Sequence, residues 1–116
     1  MSDCLFCKIV AGKIPAKVVY EDEDILAFND INPLRAVHVL VIPKKHITSL
    51  ATASAEDVLV LGKILAKANE IAVSQGSPDG FRVIINTGRV GQQEVLHLHA
   101  HIVGGTEPVG PMLKRI

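Results

Sequence analysis

The sequence has no excess of charge of either sign: twelve lysines and arginines cancel twelve aspartates and glutamates. That excludes long-range attraction of a polyanion such as duplex DNA, or of an anionic membrane, so any anionic ligand must be held by local groups. Long apolar runs are also missing. No segment approaches the ~18 consecutive apolar residues of a membrane span, and Asp3, Lys8 and Lys13 interrupt the stretch where a signal peptide needs its apolar core. There is no low-complexity tract and no internal repeat. Cysteine occurs only twice, as Cys4 and Cys7. The expectation is a cytoplasmic protein in which both thiols stay reduced, with neither nucleic acid nor membrane as partner.

What is present suits one globular domain over residues 1–116. Apolar residues are 48% and charged residues 21% of the chain, and a chain of this length buries roughly two-thirds of the surface it exposes when unfolded. Leu5, Phe6, Ile9 and Val10 have helical spacing, with Gly12 placed to end a short helix over about 5–11. KVVYED and DILAFND read as two strands around a tight acidic turn, and INPLRA as a loop. VHVLVIP reads as a central strand closed by Pro43. A long helix follows from Ser54, which forms a capping box with Asp57; its apolar stripe is Val58, Leu61, Leu65, Ala68 and Ala72, with Lys63, Lys67 and Glu70 on the other side. Gly76 ends it. FRVIIN and LHLHAHIVGG are two more strands, separated by the loop TGRVGQQEV. Five strands with one long and one short helix predict an α+β fold on an antiparallel sheet.

Histidine is scarce, five in the chain, yet three fall in HLHAH. In a strand, His97, His99 and His101 would share one face at intervals of ~6.7 Å, while Leu98, Ala100 and Ile102 face the core. Each ring carries two nitrogens that need partners, so an ordinary dry face does not suit them. His38, in another strand, is a fourth. Neutral imidazoles near pH 7 serve either as ligands of a hydrolytic metal or as nucleophile and proton carrier. The preceding loop favours the second reading: it offers backbone N–H groups with Gln93 and Glu94, which suit phosphoryl oxygens, and no cluster of carboxylates for a catalytic metal.

HLHAH followed by two apolar residues resembles the signature of the histidine triad superfamily of nucleotidyl hydrolases and transferases. FCKI, IPAKVVYED, LAFNDINP, HVLVIPKKHI, Asn86 at a strand end, GQQEV and VGGTEPVGPML resemble its Hint branch, in order and from about Phe6 to Leu113. The resemblance implies a homodimer with sheets joined across the interface, hydrolysing purine nucleoside 5′-phosphoramidates with no catalytic cofactor. It implies His99 as the nucleophile that takes up the nucleotidyl group, with His101, His38 and His97 completing the catalytic set. Asp30 would meet the ribose, Asn86, Gln93 and Glu94 the phosphate and leaving group, and Phe6, Ile9, Ile14, Phe28 and Ile31 the purine. The alternatives are a dinucleoside polyphosphate hydrolase of a sibling branch and a nucleotide-binding interaction module stabilised by zinc.

Three departures from the family pattern stand out. PLRAV replaces a Gln-Ala-Pro-like run and puts Arg35 near the site mouth. Gln92 stands where a second glycine is expected, and Glu94 where many members carry a hydroxyl. CLFC has the spacing of half a zinc site, which His46 and His97 could complete as Cys4, Cys7, His46 and His97. Buried free thiols are the other reading, and a redox pair the third.

Overall fold

The computed structural model describes residues 3–111, so Met112 and Leu113 of the VGPML motif lie outside the described residues. α1 (Leu5–Val10) starts at Cys4, whose sulfur accepts the Cys7 N–H at 3.3 Å, and ends before Gly12 turns the chain with φ +76°. β1 (Val18–Glu21) and β2 (Ile25–Asn29) form a hairpin whose turn is closed by the Asp22 carboxylate, which accepts the N–H groups of Asp24 and Ile25 at 2.8 and 3.0 Å. β3 (Val37–Pro43) is buried along its whole length. After a 3₁₀ turn over Ala55–Asp57 comes α2 (Val58–Ser74), then β4 (Arg82–Ile84) and β5 (Ala100–Gly104). The five strands make one antiparallel sheet in the order β1-β2-β3-β5-β4, the α+β architecture expected.

Alternation along the strands divides the core in two. Ile25, Ala27, Val37, Val39, Val41, Ala100 and Ile102 face α2, while Leu26, Phe28, Leu40 and Ile42 pack with Phe6 of α1 on the opposite face. β3 is therefore covered on both sides, which is why VHVLVIP is so uniformly apolar. At roughly 1.5–3 kcal/mol for each large aliphatic side chain removed from water, the two layers supply the main driving force for folding.

The long helix corrects the expected stripe. Its buried residues are Ile64, Ala68, Ile71 and Ala72, whereas Val58 is 62% and Leu65 56% exposed. The Ser54–Asp57 capping box is present but caps the 3₁₀ turn that precedes the α-helix. Lys63 also departs from the expected outer face, since it reaches Asp24 at 2.6 Å and Asp22 at 3.3 Å on the β1–β2 turn. At the C-terminus, Ser77 N–H donates to Ala72 O and Gly76 N–H to Val73 O, with Gly76 at φ +107°, a Schellman termination.

The two C-terminal strands are shorter than expected: β4 omits Phe81, Ile85 and Asn86, and β5 begins only at Ala100. The end of β5 is anchored by Ser77, fully buried, whose hydroxyl donates to Gly80 O at 2.7 Å and accepts the Gly105 N–H at 2.9 Å. A Cβ on Gly104 would strike that hydroxyl, so only glycine fits there. Ser77→Ala leaves both backbone partners unpaired and should lower unfolding free energy by about 1–3 kcal/mol in urea titration; an unchanged midpoint would show that the anchor carries no stability.

Candidate active site

β5 and the segment before it set the histidines. Leu98 N–H donates to Ile47 O at 2.7 Å, which holds the segment against the sheet ahead of the regular ladder. Leu98, Ala100 and Ile102 enter the α2 core, and the three imidazoles take the other face, as alternation requires. That face is not open, however: α1 folds over it, leaving His97 0% and His99 7% exposed. Both nitrogens of His97 and the Nδ1 of His99 find partners within the protein, and those partners define which atoms carry protons.

His99 Nδ1 lies 2.8 Å from the His97 carbonyl, an acceptor only, so Nδ1 carries the hydrogen and Nε2 keeps its lone pair. His38 Nδ1 accepts the Leu34 N–H at 3.0 Å, so the His38 hydrogen is on Nε2. That Nε2 donates to His101 Nδ1 at 2.9 Å, with Asp30 Oδ2 at 3.4 Å. His101 is thereby left with its hydrogen on Nε2. Burial drives the His38 imidazole down despite the opposing Asp30 charge. Burial, then the neighbouring His99 and His38, drives His101 down to about 4. Both rings are neutral near pH 7. The His99 and His101 ring centroids are 5.1 Å apart, close enough to address one phosphoryl group.

A cleft of about 490 Å³ opens beside His99 and His101. Phe6, Ile9, Ile14 and Phe28 line it, with Ile31 on its rim at 91% exposure. Phe6 packs edge-on against both Phe28 and His99, at 5.4 and 5.2 Å between centroids. Asp30 also lines it; one carboxylate oxygen accepts the Asn32 N–H at 2.8 Å. A second cleft, about 700 Å³, meets the first at His101 and Glu94 and contains Asn86. A largely apolar hollow thus adjoins a more polar one.

Other residues take places the sequence did not indicate. Gln93 lines the second cleft, but its amide is committed to the backbone: Oε1 accepts the Gly88 N–H, and Nε2 donates to Thr48 O and Val95 O. It braces the loop from within the cleft lining. Arg35 donates to Leu34 O and Val109 O, tying the loop before β3 to the C-terminal segment. Arg89, not singled out from sequence, lines the second cleft. The Leu34 N–H that orients His38 has no sequence signal, since every residue but proline offers one.

All four expected metal-site residues converge. Cys4 Sγ to His97 Nδ1, Cys7 Sγ to His46 Nδ1 and His46 Nδ1 to His97 Nδ1 are each 3.3 Å, and Cys7 Sγ to His97 Nδ1 is 3.5 Å. A tetrahedron with zinc–sulfur bonds near 2.3 Å and zinc–nitrogen bonds near 2.0–2.1 Å has edges of about 3.3–3.8 Å, which these separations match. His97 Nε2 donates to Pro43 O at 2.8 Å, so its Nδ1 lone pair points at the cluster, the orientation a metal ligand needs. The Cys7 thiol is raised by burial and then by the adjacent Cys4. His97 therefore turns its ring to the cysteines and only its carbonyl to His99.

Residues 3–114 match the family described as scavenger mRNA decapping enzyme C-term binding. Protein HitA of Neisseria gonorrhoeae is 53% identical over 90% of this chain and 97% of that protein. A 14 kDa zinc-binding protein of Zea mays is 45% identical over 91% of this chain and 84% of its own. The crystal structure of a HIT family hydrolase from Legionella pneumophila Philadelphia 1 superposes with a TM-score of 0.85 at 46% identity, covering 90% of this chain and 95% of that one.

The loop before the histidines holds one strained residue. Gln92 has φ +57°, and among the described residues it is the only non-glycine with positive φ. The left-handed conformation costs an L-residue about 1–2 kcal/mol and is worst for β-branched side chains. Gln92→Val should therefore lower unfolding free energy by about 1–2 kcal/mol, with Gln92→Gly at or slightly above the parent. Equal stability of the two variants would show that the loop relaxes freely.

Proposed function

The chain belongs to the histidine triad (HIT) family, whose solved members include a hydrolase, and from that premise we propose that it hydrolyses the P–N bond of purine nucleoside 5′-phosphoramidates. His99 is the nucleophile and a nucleotidyl-imidazole the intermediate. The observation that carries this reading is the bare Nε2 of His99, created by the Nδ1–H bond to the His97 carbonyl and flanked by a neutral His101. An uncharged nucleophile approaches an anionic phosphate without repulsion, and covalent catalysis splits one hard displacement into two easier ones.

The parts act in sequence. The purine enters the hollow under Phe6, Ile9, Ile14 and Phe28, with Ile31 at its rim, and Asp30 accepts from the ribose hydroxyls. His101, kept in its Nε2–H form by His38, donates to a phosphoryl oxygen and stabilises charge as it develops. Nε2 of His99 forms the bond to phosphorus while the bond to the amine breaks, and the amine picks up a proton from water in the open cleft at Asn86 and Glu94. Water then attacks phosphorus, releases the nucleoside monophosphate and restores the His99 ring.

The reading extends to a structural zinc held by Cys4, Cys7, His46 and His97, supported by the tetrahedral spacing of those atoms and by the zinc-binding relative. Such an ion would cross-link α1 to the sheet and supply no chemistry to the reaction. A homodimer is supported by the edge position of β4, which pairs on one side only among the described residues, and by the exposed Val58, Leu59 and Leu65 of α2. Reduced thiols fit a cytoplasmic setting. Among the described residues no helix is long and apolar enough to cross a membrane.

Two outcomes are expected. His99→Gly should lower hydrolysis of adenosine 5′-monophosphoramidate by about 10³-fold or more while calorimetry still detects AMP binding; an unchanged rate would leave the chain a nucleotide-binding module, and faster turnover of diadenosine polyphosphates by the parent would favour the sibling activity. Elemental analysis of protein purified without added metal should find about one zinc per chain, the stoichiometry of one four-ligand site. A metal-free preparation of full stability would remove the zinc.

A further inference from the structure

Two paths lead from the Cys4–Cys7–His46–His97 cluster to His99, one ending in a hydrogen bond and the other in a ring contact. The first is the His97 residue itself, whose ring faces the cysteines and whose carbonyl, in the same residue, accepts from His99 Nδ1 at 2.8 Å. The second is the CLFC turn, in which Cys4 and Cys7 flank Phe6, whose ring packs edge-on against both His97 and His99, at 5.9 and 5.2 Å between centroids. His97 is wholly buried and its far nitrogen is bonded to Pro43 O, so turning its ring would break that bond inside a packed layer. The cluster joins residues 39 to 93 positions apart in sequence, and α1, only six residues long, has little helical stability of its own.

We propose that the cluster is a positioning device for the nucleophile: a thiophilic divalent cation bound by Cys4, Cys7, His46 and His97 holds the His97 carbonyl and the Phe6 ring where they keep the His99 hydrogen on Nδ1 and its lone pair on Nε2. His97 and Phe6 are positioning residues, and the nucleophile is preorganised from a centre that never touches substrate. This rests on His99 having the role proposed above, but it predicts a property of the resting protein that is readable without turnover.

The experiment follows the imidazole nitrogens by ¹⁵N NMR in the full chain, well above the pH range where imidazole protonates, with zinc bound and after removal by chelator. With zinc, His99 should show one tautomer, hydrogen on Nδ1. Without it, the His99 signals should move toward exchange between tautomers and AMP affinity should fall several-fold, both returning when zinc is added back. His38, oriented by the Leu34 N–H, should keep its signals in both states. Cys7→Ala should reproduce the stripped spectrum, and Cys7→His, which restores four ligands, should recover the zinc-bound one. His99 signals that are identical with and without zinc overturn the proposal, as does a chain that binds no zinc. Should the stripped chain lose its fold, zinc- and cadmium-loaded proteins are compared: the longer bonds to cadmium should shift His99, and coincident His99 signals overturn the proposal. Failure to hydrolyse phosphoramidates would defeat the proposed function while leaving this reading of the nitrogens intact.

Discussion

The account depends on one hydrogen bond, from His99 Nδ1 to the carbonyl of His97. A backbone carbonyl can only accept, so the bond selects one of two nearly equivalent tautomers and leaves a lone pair on the other nitrogen. The second pair of histidines obeys the same logic in the reverse sense. Leu34 N–H, which can only donate, fixes the hydrogen of His38 on Nε2, and the preference passes to His101. Two backbone groups at opposite ends of the site thus produce a bare nitrogen next to an N–H donor. Burial then keeps His38 and His101 uncharged.

The sheet makes this arrangement rigid. β3 is covered on both faces, by α2 on one side and, on the other, by Phe6 of α1 packed against Leu40 and Ile42 of the strand and Leu26 and Phe28 of β2. The face that carries the histidines is therefore as dry as the core, apart from the clefts, and a polar network there is stable only because its members find partners. No buried side-chain nitrogen or oxygen among the described residues lacks one. The price is that α1 must stay down, and the four-residue cluster at its N-terminus is the connection that holds it there.

Much of this was legible in the chain. Period-two alternation located the strands and put Leu98, Ala100 and Ile102 in the core, and the spacing of Cys4 and Cys7 pointed to His46 and His97 before any coordinate did. What escaped reading depended on three-dimensional context. The expected stripe of α2 passed over Ile64 and Ile71, which share the buried face with Ala68 and Ala72 at an equally helical spacing, and took in the exposed Val58 and Leu65. The bonds of Gln93 to Gly88, Thr48 and Val95 carry no sequence signal, because an amide can serve a phosphate or a backbone equally well. The tautomers were invisible because backbone groups set them. Gln92 was noticed as a missing glycine, and its positive φ shows that the loop keeps the glycine conformation without the glycine.

The central claim is that Nε2 of His99 attacks phosphorus, and the most direct measurement is to catch the product of that attack. Rapid quenching into base during turnover of an adenosine phosphoramidate, followed by proteolysis and mass spectrometry, should find an adenylyl group on the peptide containing His99, absent from the His99→Gly variant. An adduct on His101 or His38, or turnover with no protein-bound nucleotide at any time point, would contradict it.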